Sequence, residues 1–255
     1  MGHYSGQIAD EVRLERMRPE QIGAALAKRA AIYMPFGAME WHGYHNPVGL
    51  DCLKAHEQLV GLAIEAGGVV YPPGYLGSGG GHGDWPHSYM GSNAAMTTIV
   101  SELLAGFEQD GYEAAILISG HYPNRGEYLD AGVERFRKKG GTMRTLVLVE
   151  NQLDGIDGDH AAKYETSSLM YLDPVTQDLS TLADETDLGG PDEKHNWMEA
   201  GMEGHPCYGL VGIDPRRHAS AEVGQASTER LIERLTAWLD GESAESIARA
   251  RWERV

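Results

Sequence analysis

The run AAILIS at residues 114–119 narrows the fold more than any other feature of the chain. It carries no charge, is too short for a buried helix, and is closed at once by Gly120. A short apolar run bounded in this way reads as a strand buried on both faces, the kind found inside a parallel sheet. Three further stretches share its character: residues 31–36 (AIYMPF) before Gly37, residues 69–71, and residues 143–149 (MRTLVLV). Segments with helical spacing lie between them. Residues 51–66 place Leu59, Ala63 and Ala66 on one stripe, with Asp51 at the start and Gly67-Gly68 at the end. Residues 98–110 have Leu103, Leu104 and Phe107 as their apolar side, and residues 124–139 form a further helix. Residues 11–28 and 220–240 add an early and a late helix, the late one burying Leu231, Leu235 and Trp238. This alternation predicts an α/β fold, a mainly parallel sheet flanked by helices on both faces. The 255 residues are expected to form one domain spanning 1–255. Residues 172–196, acidic and interrupted by Gly189-Gly190-Pro191, read as a long excursion or lid.

Charge and composition exclude several partners. Lysine and arginine number 21 against 38 acidic residues, a formal charge of −17. Such a field repels phosphate backbones, so no nucleic acid partner is expected. The short basic run at 135–139 reads as a solvated helix end. No apolar stretch approaches the ~20 residues of a membrane helix, and the first residues lack the apolar core of a signal peptide. The cytoplasm is therefore the expected compartment, with no membrane partner. Two cysteines, Cys52 and Cys207, make no disulfide framework. The 33 glycines and 11 histidines stand out, since average usage would give ~18 glycines. Backbone freedom and imidazoles are what a ligand site needs.

In an open parallel sheet, ligands sit beyond the carboxyl ends of the strands. After the first strand, residues 37–51 read GAMEWHGYHNPVGLD. Glu40 and His42 are two apart, so an extended backbone turns both to one side. Asp51 returns after a Gly/Pro turn. After AAILIS come Gly120-His121-Tyr122-Pro123-Asn124, and after the last strand residues 157–167 read DGDHAAKYETS. Carboxylates with imidazoles suit a divalent transition metal. Taken singly, Asp51 is a helix cap, His121 a cap or core contact, and Glu165 a helix-surface charge. Taken together, three strand ends each deliver oxygen or imidazole donors.

These segments, in this order, resemble the creatininase (creatinine amidohydrolase) family over about residues 31–240. The resemblance rests on Glu-x-His-Gly-x-His-x-Pro from Glu40 to Pro47, with Asp51 eleven residues after the Glu. It continues in Gly120-His121 followed by Asn124, and in His160-Ala161 before Glu165-Thr166-Ser167. It closes on Gly212-Ile213-Asp214-Pro215, then Ala219-Ser220-Ala221-Glu222 and Gly224. The resemblance implies a creatininase-like three-layer sandwich and two divalent ions per chain, zinc or manganese, with iron as a further option. It implies Glu40, His42, Asp51 and His121 as metal ligands, with Asp51 bridging. Creatininase has a Glu where this chain has Pro123, and Glu165 is the expected fifth ligand. His160 matches the catalytic histidine, so His160 and Glu165 would carry the catalysis. A homo-oligomer, hexameric by resemblance, is expected.

Two departures bear on substrate. The glycine-rich stretch 77–88 (GSGGGHGDWPHS) has Pro86-His87-Ser88 where the family has Pro-Gly-Thr. His82 and His87 are therefore candidates for the pocket, with His45, Tyr122 and Asp159. Creatininase also sandwiches its flat substrate between tryptophans, and the corresponding residues 149–157 (VENQLDGID) have none. The expected function is a metal-dependent hydrolase that opens a small polar cyclic amide such as creatinine. One alternative is ring opening of a cyclic polyol-derived ketone (inosose-like) or lactone, and another is a non-catalytic binding protein of the same fold.

Overall fold

The computed structural model describes residues 2–80, 83–182, 194–198 and 203–248. In chain order the elements begin with helix α1 (Pro19–Lys28), strand β1 (Ala31–Gly37), helix α2 (Leu50–Ala66) and the short strands β2 (Val69–Val70) and β3 (Gly74–Tyr75). Helix α3 (Asn93–Gln109), β4 (Ala114–Ser119), α4 (Asp130–Lys138), β5 (Arg144–Val149) and α5 (Lys163–Leu172) follow. The chain then runs through β6 (His195–Asn196), β7 (Val211–Gly212), α6 (Pro215–His218), α7 (Ala221–Leu239) and α8 (Ala244–Ile247).

The main sheet is ordered β2-β1-β4-β5, with β3 pairing further along β1, and every pair is parallel. All of β1 and β4 is buried, as a strand covered on both faces must be. Alternation along β1 divides the core in two. Ala31 and Tyr33 pack with α2 and α7, whereas Ile32, Met34 and Phe36 pack with α3 and α4. The result is three layers, helix, sheet and helix. The carboxyl ends of β1, β4 and β5 lie side by side at one edge.

Pro35 sits inside β1, where a missing N–H ordinarily interrupts a ladder. The Tyr33 carbonyl accepts from Tyr71 on the β2 side. Two residues on, the Pro35 nitrogen faces the same side, at the gap between β2 and β3, where no ladder bond is lost.

The early helix is shorter than its charge pattern predicts. Pro19 is its first residue, because a proline cannot sit within a helix. Residues 14–16 form one 3₁₀ turn, and the Val12 carbonyl accepts from Val70 at the sheet edge. The helix expected from 98 begins at Asn93, where the Ser92 hydroxyl caps Ala95. The helix expected over 124–139 opens with a wider turn at Arg125–Leu129. Within the expected excursion at 172–196, Pro174–Thr176 and Leu179–Thr181 are single turns, and His195–Asn196 pairs antiparallel with β7. Among the described residues, no helix is long and apolar enough to cross a membrane.

Candidate metal centre

The carboxyl ends of β1 and β4 are built to admit a third element. Gly37 ends β1 and Gly120 follows β4. A Cβ on Gly37 would lie 2.4 Å from Asp51 Cβ, and one on Gly120 would lie 2.4 Å from the Asp51 carbonyl. The start of α2 therefore packs directly on the two strand ends, and any side chain at either glycine would push Asp51 out. The loop between is pinched at its base, where the Glu40 N–H donates to the Val48 carbonyl at 2.9 Å. Asp51 does not cap α2. Gly49 holds that position, and Asp51 lies in the first turn with Oδ2 accepting from the Ala38 N–H at 3.0 Å.

Around Asp51 the buried side chains Glu40, His42, His121 and Glu165 converge. Their donor atoms fall into groups tight enough to hold an ion: Glu40, Asp51 and His121 form one, and His42, Asp51 and Glu165 another. Asp51 belongs to both. His121 Nδ1 lies 2.8 Å from Glu40 Oε1 and 3.7 Å from Asp51 Oδ2. His42 Nε2 lies 3.2 Å from Asp51 Oδ1 and 3.6 Å from Glu165 Oε2. Two ligand atoms each about 2.1 Å from a tetrahedral ion stand about 3.4 Å apart, so these spacings suit a shared cation.

The ring nitrogens are oriented from behind. His42 Nδ1–H donates to the Glu40 carbonyl at 3.0 Å, and His121 Nε2–H donates to the Ser78 carbonyl at 3.1 Å. A carbonyl only accepts, so the opposite nitrogen of each ring is the one turned toward the carboxylates, a donor while the ring is charged and a lone pair for an ion once it is neutral. Buried His42 Nε2 and Asp51 Oδ1 face each other at 3.2 Å, and neither has a well-directed hydrogen bond. Orphaned atoms of this kind fit a site for a divalent ion. Burial alone would push the His42 imidazole down, but Asp51, Glu165 and Glu40 override it and raise it to about 10. For His121, Glu40 and Asp51 likewise outweigh burial and raise it. Burial pushes Glu165 up, against the opposing charges of Lys54 and His42.

His160 stands at the mouth, its ring tilted against His42 at 4.7 Å between centroids. Its Nε2–H donates to the Trp41 carbonyl at 3.0 Å, which leaves Nδ1 3.9 Å from Glu40 Oε1. Backbone bonds of 2.9 Å in both directions tie His160 to Val211 of β7. The next residue, Ala161, adopts a left-handed φ of 53° and donates its N–H to Glu165 Oε2 at 2.8 Å. Helix α5, which carries Glu165, is seated by α7: a Cβ on Gly224 would lie 2.0 Å from the Ser167 carbonyl. Residues 211–224 are thus a scaffold for His160 and Glu165, and none of them belongs to a donor group.

A cavity of about 360 Å³ opens onto this cluster, lined in part by Tyr122, Asn151, Asp159, His160 and Met198. The structure corrects several expected pocket residues. His45 is buried behind the cluster, where its Nε2 accepts from the Asn46 amide at 3.0 Å and lies 2.9 Å from Thr166 Oγ1. Burial and the neighbouring His42 charge lower His45 to about 3, so it packs as a neutral ring. His87 is exposed at a turn with φ 59° and does not line the cavity. His82 lies outside the described residues. Asp159 does border the cavity, but its carboxylate accepts the Tyr164 and Glu165 N–H groups at 2.8 and 3.1 Å and so caps α5. Lys54 and Glu150, which touch this centre from behind, are unmarked in the sequence. The one available signal is that Lys54 follows Asp51 by three residues, one turn along the same helix.

A parallel α/β sheet with a buried carboxylate–imidazole cluster at its carboxyl edge defines the general class, a fold with a site suited to divalent ions. The creatininase family model, described as creatinine amidohydrolase, matches residues 15–239. The chain belongs to the creatininase family of hydrolases. A creatinine amidohydrolase of Pseudomonas putida is 28% identical over 178 residues, covering 60% of this chain and 68% of the relative. A solved manganese form of creatininase superposes with a TM-score of 0.72 at 22% identity, covering 90% of this chain and 97% of that one. A mutant creatininase of Zn–Zn type superposes with a TM-score of 0.72 at 21% identity, covering 91% and 98%. At these identities the two structures share the fold.

Proposed function

We propose that this chain is a metal-dependent hydrolase that opens a small polar ring at a carbonyl carbon. The observation that carries the reading is the pair of donor groups sharing Asp51 beside a cavity large enough for one small ring. Glu40, His42, Asp51, His121 and Glu165 would hold two divalent ions, and the manganese and Zn–Zn forms of solved relatives support those metals. Such ions, when bound, supply a Lewis acid for the carbonyl oxygen and a water of lowered pKa.

The chain's own residues do the rest. His160, fixed through Nε2, presents Nδ1 beside Glu40 at the cavity, where it takes a proton and returns it to the departing atom. Glu165 is held by the Ala161 N–H, so its carboxylate need not reorganise as charge develops. Tyr122 and Asn151 offer polar contacts on the wall. Among the described lining residues there is no lysine or arginine, which favours a ring without a carboxylate or phosphate.

A cyclic amide is the first reading, supported by the family description and by the activity for which the P. putida relative is named. A polyol-derived ketone or lactone is the second, favoured by a lining that contains Asn151 and, among the described residues, no tryptophan. Assays of creatinine, inososes and sugar lactones with the manganese- and zinc-loaded protein separate the two. Turnover of one class, lost on chelation and restored by metal, supports the proposal. Tight ring binding without hydrolysis in the loaded protein would identify a binding protein instead.

A further inference from the structure

Lys54 is fully buried, yet it does not line the cavity. Its ammonium reaches the metal centre from behind, 2.5 Å from Glu150 Oε1 and 3.1 Å from Glu165 Oε1. It also lies 5.4 Å above the Tyr122 ring. Glu150 is satisfied on its other oxygen by the Gln58 amide at 2.9 Å, and Tyr122 donates to its Oε1 at 3.2 Å. A buried ammonium is costly unless paired. Two carboxylates meet this one, and one of them is a candidate metal ligand.

The two oxygens of Glu165 are thereby given different tasks. Oε1 is taken by Lys54, while Oε2 accepts from Ala161 and faces His42 Nε2 at 3.6 Å. Lys54 lies one helical turn after Asp51 on α2, so a single helix supplies the shared donor and the group that orients its partner on α5. The second carboxylate that Lys54 meets, Glu150, belongs to neither donor group, so Glu165 is the candidate ligand Lys54 touches directly.

We propose that Lys54 is a positioning residue: it holds Glu165 with one oxygen toward His42 and Asp51, and so sets the ion affinity of that half of the centre alone. The inference rests on the two-ion reading above. Outer partners of metal ligands change affinity by about 10- to 100-fold when removed.

The test is stepwise Mn²⁺ binding by calorimetry and metal analysis, with anomalous scattering to locate each ion. Lys54→Met alone would leave two buried carboxylates unpaired, so K54M is combined with Glu150→Gln. E150Q by itself keeps the Lys54–Glu165 contact and should bind both ions as the unaltered protein does. K54M/E150Q should keep the ion at Glu40, Asp51 and His121 and lose about 10- to 100-fold in affinity at the other. K54Q, which retains an amide donor, should fall between and carries the test if the double variant does not fold. Unchanged binding of both ions, equal weakening of both, or tighter binding at the Glu165 half would overturn the proposal. An unaltered protein that takes up no ion would contradict the two-ion reading, which is a separate result.

Discussion

The two halves of the centre share Asp51 but are built by different means. Glu40 and His121 sit just beyond adjacent parallel strands, so the pairing of β1 with β4 brings them together with little help. Glu165 comes from α5, which is not part of the sheet. It reaches the centre because Gly224 lets α7 press on α5, Asp159 caps that helix, and Lys54 holds one carboxylate oxygen. One half is fixed by the sheet and the other by helix packing. The second should therefore be the easier to loosen without unfolding the protein.

The largest expected effect removes the distinction. Asp51→Ala takes a donor from both groups, so both ions should be lost and kcat should fall by about 10⁴ or more, several kcal/mol of barrier. Retention of one tight ion in metal analysis would mean that Asp51 is not shared. His160→Ala should lower kcat by about 10²–10³ with metal content unchanged. Equal metal loss would make His160 a ligand, which its place beside Glu40 and His42 also permits.

Two glycines separate the halves by packing. Gly120→Ala strikes the Asp51 backbone and Gly224→Ala strikes Ser167. Each should destabilise by about 1–3 kcal/mol in thermal or denaturant unfolding, the usual cost of overpacking. G224A should weaken only the ion held through Glu165, whereas G120A should weaken both. The same response from both variants would remove the contrast between sheet and helix packing.

The smallest effect is a proton. In the ion-free protein His42 is raised to about 10 by its carboxylate neighbours against burial. The stability this gives is complete below its ordinary value of 6.5 and is lost as pH rises through about 10. Ligation needs the neutral ring. Ion uptake near pH 7 should thus release a proton, measured by calorimetry in buffers of different ionisation enthalpy. The ion-free protein should also lose thermal stability between pH 7 and 10 more steeply than the loaded one. No proton release would mean that His42 does not ligate.

The difference between the halves also explains what was legible in the sequence. AAILIS needs only its own apolar pattern to be a central strand, and Glu40-x-His42 and Gly120-His121 follow strands directly. Their convergence follows from parallel pairing. The role of Glu165 depended on resemblance, since its distance to His42 is fixed by α5–α7 contacts far apart in the chain. Lys54 was invisible because a lysine in a helix ordinarily faces solvent. Only the packing of Glu150 and Glu165 around it shows otherwise. His45 misled for a related reason: it shares the first motif with His42, but the turn at Gly43 carries it behind the cluster to Thr166.

If Asp51 joins two ion sites, the metal content of the catalytically active protein must show both. About two transition ions per chain are expected, with ring-opening activity lost on chelation and regained on reloading. Fewer than one ion per chain in a fully active sample would contradict it.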